Sequence, residues 1–163
     1  MHDDWAARIE AVWNDDALSD ESRVERIDAV AAERPVGDPV ALFERAGARD
    51  AAGLEADAAP LYRAALDAGL DDVHRPQAVI QLASTLRNLG RAEEAVGMLR
   101  AELSREPASP LHDEASAFLA LALVSLGRER EAASVALRTL APHLSRYTRS
   151  VAAYADELSA DTA

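Results

Sequence analysis

The chain of 163 residues contains no cysteine. A disulfide framework, a thiol nucleophile and any cysteine-ligated zinc or iron–sulfur centre are thereby excluded. Lysine is missing too, and all 17 basic residues are arginine, so Schiff-base chemistry and the lysine of a phosphate-binding loop are excluded as well. Aromatic residues make up only 4% of the chain, and runs of β-branched residues are absent, which disfavours a sheet. The most apolar stretch, Ala115 to Leu126, is broken by Ser116 and Ser125 and falls well short of the ~20 residues that span a bilayer. The acidic amino terminus, Met1 to Trp5, has neither the positive region nor the apolar stretch of a signal peptide. A soluble, cytoplasmic protein with no membrane partner is expected. Catalytic signatures are equally scarce: there is no Gly-x-Ser-x-Gly, no glycine-rich phosphate loop and no His-Glu-x-x-His. His112, Asp113 and Glu114 are ligand types, but they stand at a predicted helix start, where acids complement the helix dipole, and a metal site needs several converging ligands. No catalytic residue, metal or cofactor is expected.

What the chain has is alanine, about a quarter of all residues, and a period. Gly53, Gly90 and Gly127 stand 37 residues apart. After each glycine the same pattern runs: Ala58, Ala95 and Ala132 align, then Tyr62, Leu99 and Ala136, then Leu66, Leu103 and Leu140. These offsets trace one face of a helix. Before the glycines, Leu82 pairs with Leu119, Ala83 with Ala120 and Leu86 with Leu123, so an amphipathic helix precedes each turn. The unit is helix, glycine turn, helix. Such pairs cannot bury their apolar faces alone and must stack, which predicts an all-α fold with an extended surface suited to binding.

The residues resemble the tetratricopeptide repeat, and the middle unit fits best, with Leu82, Ala83, Leu86, Gly90, Ala95, Leu99, Leu103 and Pro107 at family positions. The string from Leu82 to Arg91 is similar to a small actinobacterial subgroup often called tetratricopeptide repeat group 5. The resemblance covers roughly residues 38 to 143 and implies a right-handed stack of hairpins that binds a protein or peptide. Arg45 and Arg49 depart from the pattern, standing where large apolar residues are usual; Ser116 replaces an aromatic residue.

Outside the repeats, Trp5, Ile9, Val12 and Trp13 form one stripe and Val24, Ile27, Val30 and Ala31 another, the second helix starting after Ser19 or Asp20. These stripes predict a hairpin whose helices face each other. Arg34 to Pro39 then breaks the helix and caps the next. Pro60 requires its helix to begin near Ala56, so that the proline lies in or just beyond the first turn. At the other end, Tyr147, Val151, Tyr154, Ala155 and Leu158 predict a last amphipathic helix that caps the stack. The expected organisation is a single domain: a hairpin over residues 1–36, three repeats over 37–143 and a capping helix over 144–163.

Net charge is −12, and the first 38 residues carry 11 acids against 4 arginines. That field repels phosphate backbones, so a nucleic-acid partner is not expected. In the family the first helix of each repeat lines the concave groove, and the matching positions in the middle unit include Gln77, Gln81, Ser84, Arg87 and Asn88. Gln77, Gln81, Ser84 and Asn88 follow one another at helical spacing and form a polar stripe, with mixed donors and acceptors suited to an extended peptide or a carboxylate. The first unit adds Phe43, Glu44 and Asp50. Arg45 and Arg49 beside them are expected to pair with Glu44, Asp50 or a carboxylate of the front hairpin. In the third unit Ala117, Phe118, Leu121 and Val124 make the helix apolar nearly all round, so it needs covering. The last helix is the simplest cover; a second copy, making a homodimer, or an apolar segment of a partner is the alternative.

Overall fold

A computed structural model of the chain describes residues 4–160. Among them there are α-helices and one short 3₁₀ turn, and no strand. In chain order they are α1 (Asp4–Trp13), α2 (Asp20–Ala31), α3 (Pro39–Ala51), α4 (Glu55–Asp67), α5 (His74–Asn88), α6 (Ala92–Leu103), α7 (His112–Ser125), α8 (Glu129–Leu140), the 3₁₀ turn Ala141–His143, and α9 (Thr148–Ala160). The chain forms two compact units, one ending at Thr85 and the other beginning at Leu86, so the division falls inside α5.

The three glycines end α3, α5 and α7 in the same way. Gly53, Gly90 and Gly127 have φ of +71°, +77° and +70°. Behind each, the next residue's amide reaches back to the last full turn: Leu54 to the Arg49 carbonyl, Arg91 to Leu86 and Arg128 to Leu123, at 2.8, 2.8 and 3.0 Å. The glycine amides bond Asp50, Arg87 and Val124. This paired pattern satisfies carbonyls that the helix end would otherwise orphan. Helices α4, α6 and α8 then start with no side-chain cap, but each carries two acids in its first turn, where the helix dipole favours them.

In the first unit neighbouring helices pack in chain order, α1 on α2, α2 on α3 and α3 on α4, as expected of a repeat array. The predicted hairpin stripes meet: Trp5, Ile9, Ile27, Val30 and Ala31 are buried together with Ala41 and Ala48 of α3, flanked by Val12, Trp13, Val24 and Val40. Trp5 donates its indole Nε1–H to the Val30 carbonyl at 2.8 Å. Ser19 caps α2, accepting from the Ser22 amide, and Asp38 caps α3, accepting from Ala41, with Pro39 at the helix start. The two arginines that depart from the repeat pattern both reach the front hairpin. Arg45 Nε lies 2.9 Å from Asp28 Oδ1 and Arg49 holds both Asp28 oxygens, at 3.0 and 2.7 Å.

In the second unit α6 packs on α7, α7 on α8, and α8 on α9. Two expectations need correction there. The last helix does not cover α7: it follows α8 through the 3₁₀ turn and packs on those two elements, leaving Leu121 47% and Val124 51% exposed, with Ala117 exposed as well. Nor do Tyr147, just before that helix, and Tyr154 within it turn inward. Ala155 is buried and Val151 and Leu158 are half-buried on its side of the helix, while Tyr147 and Tyr154 are 75% and 62% exposed. The contact between α8 and α9 runs through small residues, the Ser134 hydroxyl donating to the Ala155 carbonyl at 2.6 Å. The third repeat keeps only part of its aligned face: Ala132 is buried, Ala136 and Leu140 are exposed.

Candidate functional site

Helix α5 carries the polar stripe, and its partners determine which atoms remain to meet a ligand. Gln81 Oε1 accepts from the Tyr62 hydroxyl at 2.9 Å, so its amide N–H groups are the ones left over. Gln77 Nε2 donates to the Val73 carbonyl at 3.2 Å, leaving its oxygen. Asn88 Oδ1 accepts from Arg87 at 3.2 Å, which leaves the Asn88 amide donors and further guanidinium N–H groups. Gln77, Gln81, Ser84 and Arg87 are half-buried and Asn88 is exposed. Gln77, Gln81 and Ser84 belong to the first unit; Arg87 and Asn88, at the end of the same helix, belong to the second.

Beneath the stripe in the first unit lies a polar network. Tyr62, wholly buried on α4, contacts Gln81 and, at 3.5 Å, Asp50 Oδ2. Thr85, also buried, donates to Asp50 Oδ1 at 2.9 Å. Burial pushes the Asp50 carboxyl up against the opposing pull of the Thr85 hydrogen bond. Burial and the neighbouring Asp50 also push the Tyr62 phenol far above its ordinary range, so it remains a hydrogen-bond donor at every physiological pH. Asp50 thus ties α3, α4 and α5 together. The repeat pattern does not reveal this network, because Tyr62 reads as an apolar filler and Thr85 as a helix-surface residue until both are buried together.

Phe43 and Glu44 lie towards the front hairpin. Phe43 is buried, its ring 6.1 Å from Tyr62 and edge-on to His74 at 5.6 Å. Glu44 Oε2 accepts from Trp13 Nε1 at 2.7 Å; burial pushes its carboxyl up, partly offset by that bond and by His74. Among the described residues no group of three or more histidine, aspartate or glutamate side chains converges in a way that could hold a metal ion. His143 approaches Asp113 at 3.0 Å and clasps the 3₁₀ turn to the start of α7, while His112, beside Asp113 on the same helix, lies 3.5 Å from it.

A family model described as Tetratrico peptide repeat matches residues 39–158, from the start of α3 almost to the end of α9. The chain belongs to the tetratricopeptide repeat family. No curated protein and no solved structure matches it. Tetratricopeptide repeats generally mediate protein–protein interaction and are typically noncatalytic scaffolds. The tetratricopeptide match takes in α9, so the last helix falls within the family pattern and not beyond it. No helix of the described residues is long and apolar enough to cross a membrane.

Proposed function

We propose that this tetratricopeptide protein is a noncatalytic cytoplasmic module that binds an extended segment of a partner protein along the polar face of α5, with Phe43, Glu44 and Asp50 contributing in the first repeat. The observation that carries the reading is the bonding state of that face. Gln81, Arg87 and Asn88 present donors, and Gln77 presents an acceptor, which suits the carbonyls of an extended backbone or a terminal carboxylate.

A pull-down from native host extract with the wild-type chain and the Arg87→Ala, Asn88→Ala double variant tests this. The partner recovered by the wild type should be lost by the variant, whose stability should change by less than about 0.5 kcal/mol because both side chains reach the surface. A partner retained by the variant refutes α5 as the docking face.

The exposed Leu121 and Val124 of α7 support a second reading, self-assembly through that apolar face. Light scattering would then report a dimer, returned to monomer by Leu121→Arg. A monomeric wild type at high concentration eliminates it.

A further inference from the structure

The first unit contains a hollow of about 460 Å³ whose walls come from the front hairpin, the start of α3 and the start of α5. Its apolar walls are Trp5, Ile9, Trp13 and Val40; its charged groups are Glu10, Asp38, Glu44, Asp71, Arg34 and His74. Four carboxylates thus oppose one guanidinium and one histidine. Both tryptophans of the chain are here. The size falls within the range of ligand pockets, and aromatic walls with a few placed charges are their usual lining.

Two of these four acids already have structural duties. Asp38 caps α3, and Asp71 accepts from the Val73 and His74 amides and from the His74 ring. Glu44 and Glu10 differ. Glu44 takes only the neutral Trp13 N–H as a hydrogen-bond donor, and Glu10 stands at the exposed edge. A half-buried carboxylate hydrogen-bonded to an indole and not to a guanidinium, with His74 nearby as a partial counter-charge, leaves its negative charge incompletely compensated. The indoles supply the complementary property: the negative face of tryptophan attracts cations better than any other side chain. The protein itself uses this, because Arg34 places its guanidinium 4.5 Å from the centroid of the Trp5 ring. Trp13, whose ring lies against α3 at Gly47, together with Glu44 and Glu10 offers the same pairing of aromatic face and carboxylate to a second cation.

We propose that this hollow is a binding site for the guanidinium of an arginine side chain on a partner segment, stacked on Trp13 and held by Glu44 and Glu10. A planar guanidinium suits both an indole face and a carboxylate fork, which an ammonium does less well. The surrounding −12 charge would draw such a basic segment in. The site shares Glu44 with the proposed groove but uses none of its α5 stripe, since α5 contributes only its first residue, His74, to the wall.

Because both tryptophans line the hollow, intrinsic fluorescence reads its occupancy directly. The probe is a capped Gly-Arg-Gly peptide titrated into the full chain, alongside the same peptide with citrulline, which keeps the shape and loses the charge, and with lysine. Saturable change in emission is expected with arginine, a weaker one with lysine and none with citrulline. Glu44→Gln, whose amide oxygen can still accept from Trp13, should weaken arginine binding about tenfold while leaving the helical circular dichroism intact. Glu10→Gln, at the rim, should weaken it about threefold. The Arg87→Ala, Asn88→Ala variant should bind the arginine peptide as the wild type does, whatever the fate of the groove. Equal response to citrulline, no saturable response to arginine, or unchanged affinity in both glutamate variants would overturn the assignment.

Discussion

At the scale of single residues, the same substitution should have opposite signs at two glycines of one repeat. Gly90 sits at φ +77° with nothing within 4 Å of where a Cβ would be, so its cost on substitution is purely conformational. Gly90→Ala should destabilise by about 1 kcal/mol, the left-handed penalty less the entropy removed from the unfolded chain. Gly97 is exposed inside α6, also with open space around it, and has no left-handed backbone to preserve. Gly97→Ala should therefore stabilise by about 1 kcal/mol. Urea denaturation of the two variants checks both; equal shifts of one sign would contradict the assignment of Gly90 to a left-handed cap. The glycine period was legible because its physical cause is local: a turn that needs positive φ selects glycine whatever surrounds it. The partner of Arg45 and Arg49 was only partly legible. Sequence spacing offers Glu44, Asp50 and the acids of the hairpin alike, and only the packing of α2 on α3 brings Asp28 within 3 Å.

At the scale of elements, α4 contains an internal strain that its sequence position foreshadows. The helix begins at Glu55, close to the start near Ala56 that Pro60 demands, yet Pro60 lies inside it and removes the amide that would bond the Ala56 carbonyl. Pro60 is exposed, so water can serve that carbonyl and the loss is less than the full interior penalty. Pro60→Ala should raise stability by about 1–2 kcal/mol, after allowing for the greater freedom of the unfolded chain. A fall in the denaturation midpoint would show that the proline contributes through packing. The last helix illustrates the opposite case. Its amphipathic stripe is visible in the sequence, but a stripe does not say which neighbour it meets. It packs on α8 through Ser134 and Ala155, with Tyr147 and Tyr154 at the surface and Leu121 and Val124 of α7 exposed.

At the scale of the whole molecule, charge and burial together set the response to acid. Asp28 is pushed up by burial, but the hydrogen bonds of Arg49 and Arg45 outweigh this and hold its carboxyl below the ordinary range. The His143 hydrogen bond does the same for Asp113, and the His74 amide for Asp71. Groups lowered on folding stabilise above their unfolded pKa, so these contributions persist down to about pH 4 and are lost below it. Glu44 and Asp50 are raised, so they oppose folding when charged. Their penalty is relieved as pH falls through the raised values towards the unfolded ones, and relief of the −12 self-repulsion acts in the same direction. Thermal melts should thus show stability rising modestly from pH 7 to about pH 5 and falling below about pH 4. Glu44→Gln should be at least as stable as wild type at pH 7 and show a smaller rise; an unchanged rise would remove Glu44 as a contributor.

The amino-acid sequence by itself determined the helical class, the 37-residue period, the turn glycines, the start of α2 after Ser19 or Asp20, the break over Arg34 to Pro39 and the facing stripes of the front hairpin, because each depends on backbone conformation or on the pattern along one helix. Only the tertiary structure decided that Asp28 receives two arginines, that Tyr62, Asp50, Gln81 and Thr85 share one buried network, and that two tryptophans and four carboxylates enclose a common hollow. Those arrangements join residues up to 66 positions apart. Helical periodicity says which way a side chain leaves its own axis, and the relative placement of two axes depends on how their small and large residues interlock.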